Sequence, residues 1–359
     1  YFYLLTFDLL IDYIKKEKRM VKIFVPQLIS QVAYKKLQTL GDVTMYEGTD
    51  GPMPHDEILK EVQDKDILYA LGEVEFDREV ILAAKPLKLV SAMHMKATFV
   101  DKKTCTERKV PLCGIPNFVS KTTAEFTFAL LMATAWRLPE AHEYLKDKKW
   151  TQNQSTSFLG SRLYGKTIGI IGMGAVGTGV AKRAAACDMK VIYHKRSRLS
   201  AAEEYVLGNA EFRAIEDLFM ESDFVMLCTS LTNDTKGLVG KDLLSLMKPT
   251  SILINTSRGP ILDEEALENA LREKKILGAG LDVYETEVPE PNPGPRPGLF
   301  DLENVVMTPH IGSAARETRD EMALRAVHNI ERFLDGKRPF DVLNPEVYGE
   351  AANNDEVIG

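Results

Sequence analysis

The chain has 359 residues, of which 45% are apolar and 27% are charged, and its formal net charge at pH 7 is −7. This length predicts about two globular domains, and the negative charge argues against a broad nucleic-acid-binding surface. The chain has four cysteines, and none of them forms a C-x-x-C pair. We therefore expect reduced thiols in a cytoplasmic protein, with neither disulfides nor a metal site.

Residues 1–19 precede the first predicted strand and need a separate interpretation. They are apolar as far as Ile14 but carry Asp8 and Asp12, and they have no basic leading region and no small-residue cleavage site. We therefore predict neither a membrane span nor an ordinary signal peptide. The segment is interpreted as a leader or an upstream extension, and an amphipathic helix that packs on a partner is the alternative.

The first predicted domain comprises residues 20–117 and 312–359. Between Val21 and about Gly114, short apolar runs alternate with segments of helical period. The predicted strands are Lys22–Val25, Val43–Tyr46, Ile67–Ala70, Leu87–Ala92 and Val110–Cys113. The predicted helices lie near Ser30–Leu40, His55–Gln63 and Arg78–Ala84. Strands that alternate with helices predict a parallel sheet with helices on both faces.

The second predicted domain comprises residues 118–311 and begins with one long helix over Lys121–Lys148. Its later strands are predicted at Phe224–Cys228, Ser251–Asn255, Gly278–Leu281 and Val305–Thr308, with helices at Lys241–Met247 and Asp263–Glu273. The run Val288–Gly298 is predicted to be a surface loop, because its prolines exclude helix and central strand. A final helix, Ala314–Asp335, has Ser313 at the predicted N-cap and is expected to return to the first domain.

Thr167–Arg198 is the most informative unit of the sequence. An isoleucine-rich run breaks at the glycine turn Gly172–Gly177, a helix of small residues follows, and a second apolar run closes the unit at Val191–Tyr193. In this strand–turn–helix–strand context, the pattern G-x-G-x-x-G indicates dinucleotide binding, with the pyrophosphate on free amides at the positive end of the helix. The residues expected to bind it are Gly172, Gly174, Ala175, Val176 and Gly177.

The end of the second strand in this unit selects the cofactor. A carboxylate there binds the ribose hydroxyls of NAD, whereas cations accommodate the 2′-phosphate of NADP. The strand runs into H-K-R-S-R, which contains no acid. Three cations and a hydroxyl suit a phosphate, so we expect NADP(H) as the preferred cofactor, bound by Lys195, Arg196 and Ser197. NAD(H) is the alternative cofactor, and the basic turn is then only a solvated surface.

Three segments place reactive groups at the carboxyl ends of predicted strands, where α/β sheets bind ligands. They carry Arg258 in N-T-S-R-G, Glu287 in L-D-V-Y-E-T-E and His310 in T-P-H-I-G. Hydride transfer to a ketone needs a cation that polarises the carbonyl and binds a neighbouring carboxylate, a task that suits a guanidinium. It also needs an acid that protonates the new alkoxide, a task that suits an imidazolium kept protonated by a carboxylate.

Together with the glycine turn, these three motifs resemble the D-isomer-specific 2-hydroxyacid dehydrogenase family, which includes glyoxylate/hydroxypyruvate reductases and 3-phosphoglycerate dehydrogenases. The resemblance runs over about residues 22–344, and the three reactive residues recur at the family's spacing. It implies an α/β protein of two doubly wound parallel-sheet domains, a flavodoxin-like substrate domain and a Rossmann dinucleotide-binding domain. It further implies a homodimer that pairs around Lys121–Leu145.

The resemblance also implies a role for each site residue. Arg258 binds the substrate carboxylate and polarises the keto oxygen, His310 is the acid/base, and Glu287 is its hydrogen-bonded partner. Asp282 is expected beside the nicotinamide carboxamide. Four further residues match positions that line the cofactor cleft, namely Thr229, Ser230, Thr235 and Thr256. Taken singly, the three catalytic candidates also read as a surface arginine, a loop acid and a core histidine, but their joint spacing favours catalysis.

The predicted substrate loop, Ser91–Asp101, departs from the family pattern. In the family its backbone amides hold the substrate carboxylate, whereas here Lys96 occupies the expected glycine. Our hypothesis is that Lys96 or His94 adds a cation for an acidic substrate, and that Met93 and Met95 narrow the pocket. The alternative is a lysine that points to solvent while the loop still binds through its amides.

The leading functional hypothesis is NADPH-dependent reduction of a small 2-ketoacid, such as glyoxylate or hydroxypyruvate, to the D-2-hydroxy acid. A second hypothesis is an oxidative dehydrogenase that acts on a sugar acid or a phosphorylated 2-hydroxy acid. A third, of another class, is a nucleotide-sensing scaffold like the C-terminal binding protein corepressors. None of the three requires a metal, a nucleic acid or a membrane.

Overall fold

The computed structural model describes residues 20–49, 51–72, 74–153, 155–287 and 293–350. The predicted leader, residues 1–19, and part of the proline-rich run, residues 288–292, lie outside the described residues. The described residues divide into two compact units, of which the first comprises 20–118 and 316–350 and the second comprises 119–315.

The described residues form twelve strands and twelve α-helices. The strands are β1 Lys22–Val25, β2 Asp42–Met45, β3 Ile67–Ala70, β4 Leu89–Ala92, β5 Leu112–Cys113, β6 Thr167–Ile171, β7 Lys190–His194, β8 Glu211–Phe212, β9 Phe224–Leu227, β10 Ile252–Asn255, β11 Gly278–Leu281 and β12 Val305–Met307. The helices are α1 Gln31–Gln38, α2 His55–Glu61, α3 Arg78–Ala83, α4 Lys102–Glu107, α5 Val119–Ala135, α6 Leu138–Lys146, α7 Ala175–Ala186, α8 Ala201–Val206, α9 Ile215–Glu221, α10 Lys241–Ser245, α11 Glu264–Arg272 and α12 Arg316–Leu334.

The first unit is built on a five-stranded parallel sheet with the order β2-β1-β3-β4-β5. This is the strand order of flavodoxin-like doubly wound sheets, and it confirms the predicted fold of this half of the protein. Phe24, Leu68 and Val90 lie fully buried on three neighbouring strands, as expected for a parallel sheet that helices cover. Helix α12 packs on the same sheet, where the buried Ser91 hydroxyl donates to the carbonyl of Ala326 (2.8 Å).

The second unit is built on a seven-stranded parallel sheet with the order β12-β11-β10-β9-β6-β7-β8. The chain enters at β6, runs outwards to β8, and then returns to β9 on the other side of β6. This arrangement confirms the predicted Rossmann-type sheet, and ligands bind at such reversals, beyond the carboxyl ends of the strands. Strand β8 was not predicted, because two residues at a sheet edge are too few to show an alternating pattern.

The single long helix predicted over Lys121–Lys148 is wrong, because the chain breaks between α5 and α6. Pro139 lies in the first turn of α6, has no amide hydrogen and cannot continue the helix that ends at Ala135. Arg137 turns the chain in a left-handed conformation with φ of +53°. The carbonyl of Ala135 accepts a hydrogen bond from the Ser161 amide instead (2.8 Å).

The final helix begins two residues later than predicted, so Ser313 is not at its N-cap. The residues before Arg316 form a turn, in which the Ala314 amide donates to the Ile311 carbonyl (2.9 Å). This turn follows β12 directly and is anchored to the end of β11. The helix can start only where that anchored turn ends.

Helix α5 holds the glycine-turn helix α7 in place. A Cβ at Gly179 of α7 would lie 2.6 Å from the Cβ of Ala124, so the two helices approach too closely for any side chain there. Nearer its C-terminal end, α5 packs on β11, where a Cβ at Gly280 would lie 2.7 Å from the Thr134 hydroxyl. Helix α7 therefore has a fixed position over the middle of the sheet.

Candidate active site

The glycine turn between β6 and α7 has the geometry of a phosphate cradle. Gly172 has φ of +91°, and a Cβ there would lie 2.7 Å from the Cys228 carbonyl oxygen. A Cβ at Gly177 would overlap the carbonyl oxygen of Gly172, whereas a Cβ at Gly174 would meet no atom within 4 Å. The backbone is therefore crowded on its inner side and open at the start of α7, where Ala175 and Val176 form the first turn. Open amides at a helix N-terminus suit the pyrophosphate of a dinucleotide.

A carboxylate organises the basic turn after β7. Buried Tyr193 donates its hydroxyl to Glu204 (2.7 Å) and accepts from the Leu199 amide (2.8 Å). The Arg198 guanidinium binds the same carboxylate through two hydrogen bonds of 2.8 and 3.0 Å. Because the Arg198 guanidinium is bonded to Glu204, Lys195 and Arg196 are the two predicted cations that remain available for a phosphate.

Those two cations and the neighbouring hydroxyl belong to the residues predicted to bind a 2′-phosphate. Lys195 is half-buried, and Arg196 and Ser197 are exposed. No hydrogen bond or salt bridge links any of the three with another residue in the part of the chain that the structure describes. The turn thus presents Lys195 and Arg196 next to the end of β7 without an ion pair to any described residue, and the last residue of that strand is His194 rather than an acid.

The threonine and serine residues predicted to line the cofactor cleft lie beyond the ends of β9 and β10. The Thr235 hydroxyl donates to the Ser230 carbonyl (2.7 Å) and accepts from the Thr232 amide (2.7 Å), so it closes the loop that begins at Thr229. Thr256 is buried, and its hydroxyl shares a hydrogen bond of 2.6 Å with the Thr127 hydroxyl of α5. Thr235 and Thr256 therefore shape the backbone of these loops.

Asn255, the last residue of β10, shapes the turn that presents Arg258. Its buried amide oxygen accepts from the Ser257 amide (3.1 Å) and hydroxyl (3.0 Å), and its amide nitrogen donates to the Arg258 carbonyl (3.2 Å). The guanidinium of Arg258 is exposed and donates to the Ser257 carbonyl (2.6 Å). Gly259 then lies directly on the backbone of Tyr284, where a Cβ would overlap the Tyr284 carbonyl. This contact joins the Arg258 turn to the loop after β11.

Glu287 and His310 form a hydrogen-bonded pair, with 2.7 Å between the imidazole Nδ1 and Oε2 of the carboxylate. The other carboxylate oxygen accepts from the Tyr284 amide (3.0 Å). The hydrogen bond to Glu287 raises the pKa of His310, the charges of Glu287 and Asp282 add to that shift, and burial and the charge of Arg258 oppose it. Burial alone would raise the pKa of Glu287, but the hydrogen bonds from His310 and Tyr284 outweigh it, and the pKa is lowered. The pair thus favours an imidazolium beside a carboxylate.

Asp282 holds the turn that carries His310. Its fully buried carboxylate accepts from the Thr308 hydroxyl (2.6 Å), the Ile311 amide (2.8 Å) and the Gly312 amide (2.8 Å). Its carbonyl accepts from the His310 amide (2.9 Å), and His310 itself has φ of +53°. A left-handed conformation is costly for a residue with a side chain, so this set of hydrogen bonds maintains it. The family resemblance implied that Asp282 contacts the cofactor but did not indicate this role.

Tyr284 is a further site residue that the sequence analysis missed. Its hydroxyl donates to the Thr308 carbonyl (2.7 Å), and its amide orients Glu287. The only signal in the sequence is its place three residues before Glu287, a spacing at which a side-chain carboxylate often accepts a backbone amide.

The substrate loop belongs to the first unit and follows β4. The Nδ1 atom of His94 accepts from the amides of Lys96 (3.2 Å) and Ala97 (3.1 Å), which requires an unprotonated Nδ1. The structure therefore favours a neutral His94 and leaves Lys96, which is exposed, as the cation of this loop. Met93 is half-buried and Met95 is exposed.

Neither a metal site nor a membrane-spanning helix is found among the described residues. Across these residues, no group of three or more His, Cys, Asp or Glu side chains is arranged to hold a metal ion. Within the same part of the chain, no helix has both the length and the apolar character needed to cross a membrane.

Comparison with known proteins identifies the family. The family model described as D-isomer specific 2-hydroxyacid dehydrogenase, NAD binding domain, matches residues 128–312. The glyoxylate reductases of Pyrococcus furiosus and Thermococcus kodakarensis are 36% and 38% identical to this chain over 330 residues, which cover 91% of this chain and 96% and 97% of theirs. The crystal structure of an NADPH-dependent glyoxylate/hydroxypyruvate reductase from Sinorhizobium meliloti, in complex with citrate, has a TM-score of 0.71 and 25% identity. That match covers 90% of this chain and 96% of the other.

The fold, the open glycine turn and these matches agree with one another. The resemblance stated from the motifs is therefore confirmed at the level of the family and of the reaction class. The chain belongs to the D-isomer specific 2-hydroxyacid dehydrogenase family and is an oxidoreductase with a nicotinamide-dinucleotide-binding domain.

Proposed function

We propose that this oxidoreductase reduces a small 2-ketoacid, glyoxylate or hydroxypyruvate, to the 2-hydroxy acid with NADPH, and that the product has the D configuration where it is chiral. The observation that carries the proposal is the hydrogen-bonded pair of His310 and Glu287, in which Nδ1 of the imidazole lies 2.7 Å from Oε2 of the carboxylate. Arg258 is the third residue of the proposed site, and its charge opposes the raised pKa of His310. The names of the relatives, which are glyoxylate reductases, support the choice of substrate class.

Each of the three residues has a distinct task in this proposal. The guanidinium of Arg258 binds the ketoacid carboxylate and polarises the keto oxygen. The hydride comes from NADPH when that cofactor is bound. His310 keeps its Nδ1 hydrogen in the bond to Glu287 and donates the Nε2 proton to the developing alkoxide. Nε2 makes no hydrogen bond with any described residue, so it is available for that transfer.

The preference for NADPH rests on the basic turn after β7. Lys195, Arg196 and Ser197 would bind the 2′-phosphate, and NAD(H) lacks that group. We expect Arg196→Ala to raise the Michaelis constant for NADPH by about tenfold to a hundredfold, because a charge-assisted hydrogen bond contributes about 1.5–3 kcal/mol. The Michaelis constant for NADH serves as the internal control and should not change. An equal increase for both cofactors would contradict a phosphate contact.

The substrate loop is proposed to contribute to specificity. Lys96 would add a cation for the ketoacid carboxylate, while Met93, His94 and Met95 would limit the size of the group next to the ketone. The observation that supports this proposal is that His94 engages the amides of Lys96 and Ala97, which otherwise would be free to bind an anion. Michaelis constants for several 2-ketoacids that are the same in Lys96→Ala as in the unmodified protein would remove the idea.

The test of the proposed function is the oxidation of NADPH, and separately of NADH, with a panel of 2-ketoacids. We expect turnover with glyoxylate and hydroxypyruvate, faster with NADPH than with NADH at subsaturating cofactor, and a product of D configuration from hydroxypyruvate. Absorbance at the nicotinamide band measures the rate, and chiral chromatography identifies the product. Cofactor binding without turnover of any 2-ketoacid would contradict the proposed reductase activity and favour a nucleotide-sensing scaffold.

We also propose a homodimer that pairs through α5 and α6. Four large apolar side chains are exposed on this stretch, at Met132, Trp136, Leu138 and Leu145. An exposed apolar patch of this kind is more common at a protein interface than on a free surface. Light scattering on the purified full chain measures the mass, and a monomer at micromolar concentration would contradict the proposal.

A further inference from the structure

Glu264 is a buried carboxylate outside the set of residues assigned to catalysis. It is the first residue of α11 and has an exposed fraction of 4%. One carboxylate oxygen accepts from the Glu285 amide (2.7 Å), and the other accepts from the Arg296 amide (3.0 Å). In return, the Glu285 carboxylate accepts from the Glu264 amide (3.1 Å).

The two amides that Glu264 binds lie on either side of Glu287. The Gly294 amide also donates to the Thr286 carbonyl (2.8 Å), which is a second link between described residues that precede and follow 288–292. Glu264 thus anchors both ends of the loop that carries Glu287. Burial raises the pKa of the Glu264 carboxyl, and the two amide hydrogen bonds oppose that shift.

Glu264 also lies only six residues after Arg258 in the chain. Between them, Gly259 packs on the backbone of Tyr284 so closely that a Cβ would overlap it. The turn that presents Arg258 and the loop that presents Glu287 are therefore joined at two neighbouring points, one made by Gly259 and one by Glu264.

We propose that Glu264 is a positioning residue for the acid/base pair. It fixes the loop after β11 so that the Glu287 carboxylate meets Nδ1 of His310 and maintains the imidazolium. This inference rests on the proposed function, because it assumes that His310 donates the proton during reduction.

Glutamine is the informative replacement because it has the same shape as glutamate but only one acceptor oxygen. Its amide nitrogen would face either the Glu285 amide or the Arg296 amide, so one of the two hydrogen bonds becomes a contact between two donors. The loop then loses one anchor, and Glu287 moves relative to His310.

The experiment measures kcat and kcat/KM for ketoacid reduction by the full chain with saturating NADPH, between about pH 6 and pH 10. Reduction requires protonated His310, so activity falls as the pH rises through its pKa, which Glu287 and Asp282 raise and Arg258 lowers. We expect Glu264→Gln to lower kcat by about tenfold to a hundredfold and to move this high-pH limb to lower pH. The Michaelis constant for NADPH should stay unchanged.

Three further variants decide whether Glu264 positions the acid/base pair or serves the fold alone. Glu265→Gln is the matched control, since Glu265 is the next residue of α11, its side chain is 66% exposed, and its carboxylate lies 3.3 Å from the Arg296 guanidinium. This variant should have the wild-type kcat, and its activity should fall over the same high-pH interval as that of the unmodified protein. Glu287→Gln should move the limb in the same direction as Glu264→Gln. Should Glu264→Gln fail to fold, Glu264→Asp withdraws the carboxylate by one methylene and should shift the limb in the same direction.

The outcomes separate this inference from the proposed function. If Glu287→Gln moves the high-pH limb and the folded Glu264 variant leaves it in place, Glu264 is a structural residue only and the inference is overturned. If the unmodified protein reduces no 2-ketoacid, or if Glu287→Gln also leaves the limb in place, the proposed function fails and the inference fails with it.

Discussion

Replacing His310 with glutamine is expected to lower kcat for ketoacid reduction by about a hundredfold to ten-thousandfold, the range that a positioned general acid contributes. Glutamine can still hydrogen-bond to Glu287, but its amide does not release a proton near neutral pH. Binding of NADPH should not change, because the glycine turn and the basic turn after β7 lie on other loops. Steady-state rates give kcat, and the quenching of protein fluorescence or the enhancement of NADPH fluorescence gives the dissociation constant.

His328→Gln is the matched control for this prediction. His328 is exposed on α12, in the first unit, and takes no part in the site. It should keep the wild-type kcat. A kcat for His310→Gln within about threefold of wild type would mean that another group or water protonates the alkoxide, since general acids contribute far more than that.

The pH dependence of the unmodified enzyme has a definite sign. The hydrogen bond to Glu287 raises the pKa of His310, so the imidazolium that reduction needs persists to a higher pH than it would for an ordinary histidine. Reduction should be maximal below that raised pKa and decline above it. Oxidation of the 2-hydroxy acid needs the neutral imidazole, so its rate should rise over the same interval. If the rate of reduction falls and the rate of oxidation rises over the same pH interval, one group titrates in both reactions.

The sequence was most informative where the structure is local. The unit from β6 through α7 to β7 is contiguous, and its glycines meet constraints imposed by near neighbours, such as the carbonyl of Gly172 beside Gly177. The placement of Arg258, Glu287 and His310 at strand ends could be predicted for a related reason, because consecutive parallel strands bring their carboxyl ends to one edge of the sheet. The seven-strand order confirms that premise of the argument.

Sequence analysis missed side-chain contacts whose partner residues belong to no recognisable sequence motif. Arg198 was counted as a cation for a phosphate, yet it binds Glu204, six residues along the chain. Glu264 and Glu285 are joined by reciprocal hydrogen bonds. Both are acids, and from the sequence alone one would expect their like charges to keep them apart. The link between them forms because each carboxylate accepts from the backbone amide of the other residue. The hydrogen-bond partner of such a side chain depends on its burial and on the direction of the nearby backbone, and residue types alone indicate neither.

The second large effect is expected at Asp282. In Asp282→Asn, the amide nitrogen must face one of three donors, the Thr308 hydroxyl or the amides of Ile311 and Gly312, all within 2.8 Å of the native carboxylate. A buried polar group that loses its partner costs about 1–3 kcal/mol, so the free energy of unfolding should fall by that amount. Urea unfolding followed by circular dichroism measures the loss. Asp301→Asn is the control, because the Asp301 side chain is 77% exposed and its carboxylate lies 3.8 Å from the Arg272 guanidinium.

The same substitution should lower kcat by more than the loss of stability alone explains. The hydrogen bonds to Asp282 maintain the left-handed conformation of His310, and when they are weakened the imidazole leaves the position in which Glu287 holds it. A displacement of about 1 Å at a reacting group can cost about a hundredfold in rate. Removal of the negative charge also lowers the pKa of His310, so the high-pH limb should move to lower pH. A stable variant with wild-type kcat and an unmoved limb would show that the turn keeps its shape without the carboxylate, and that Asp282 serves the cofactor alone.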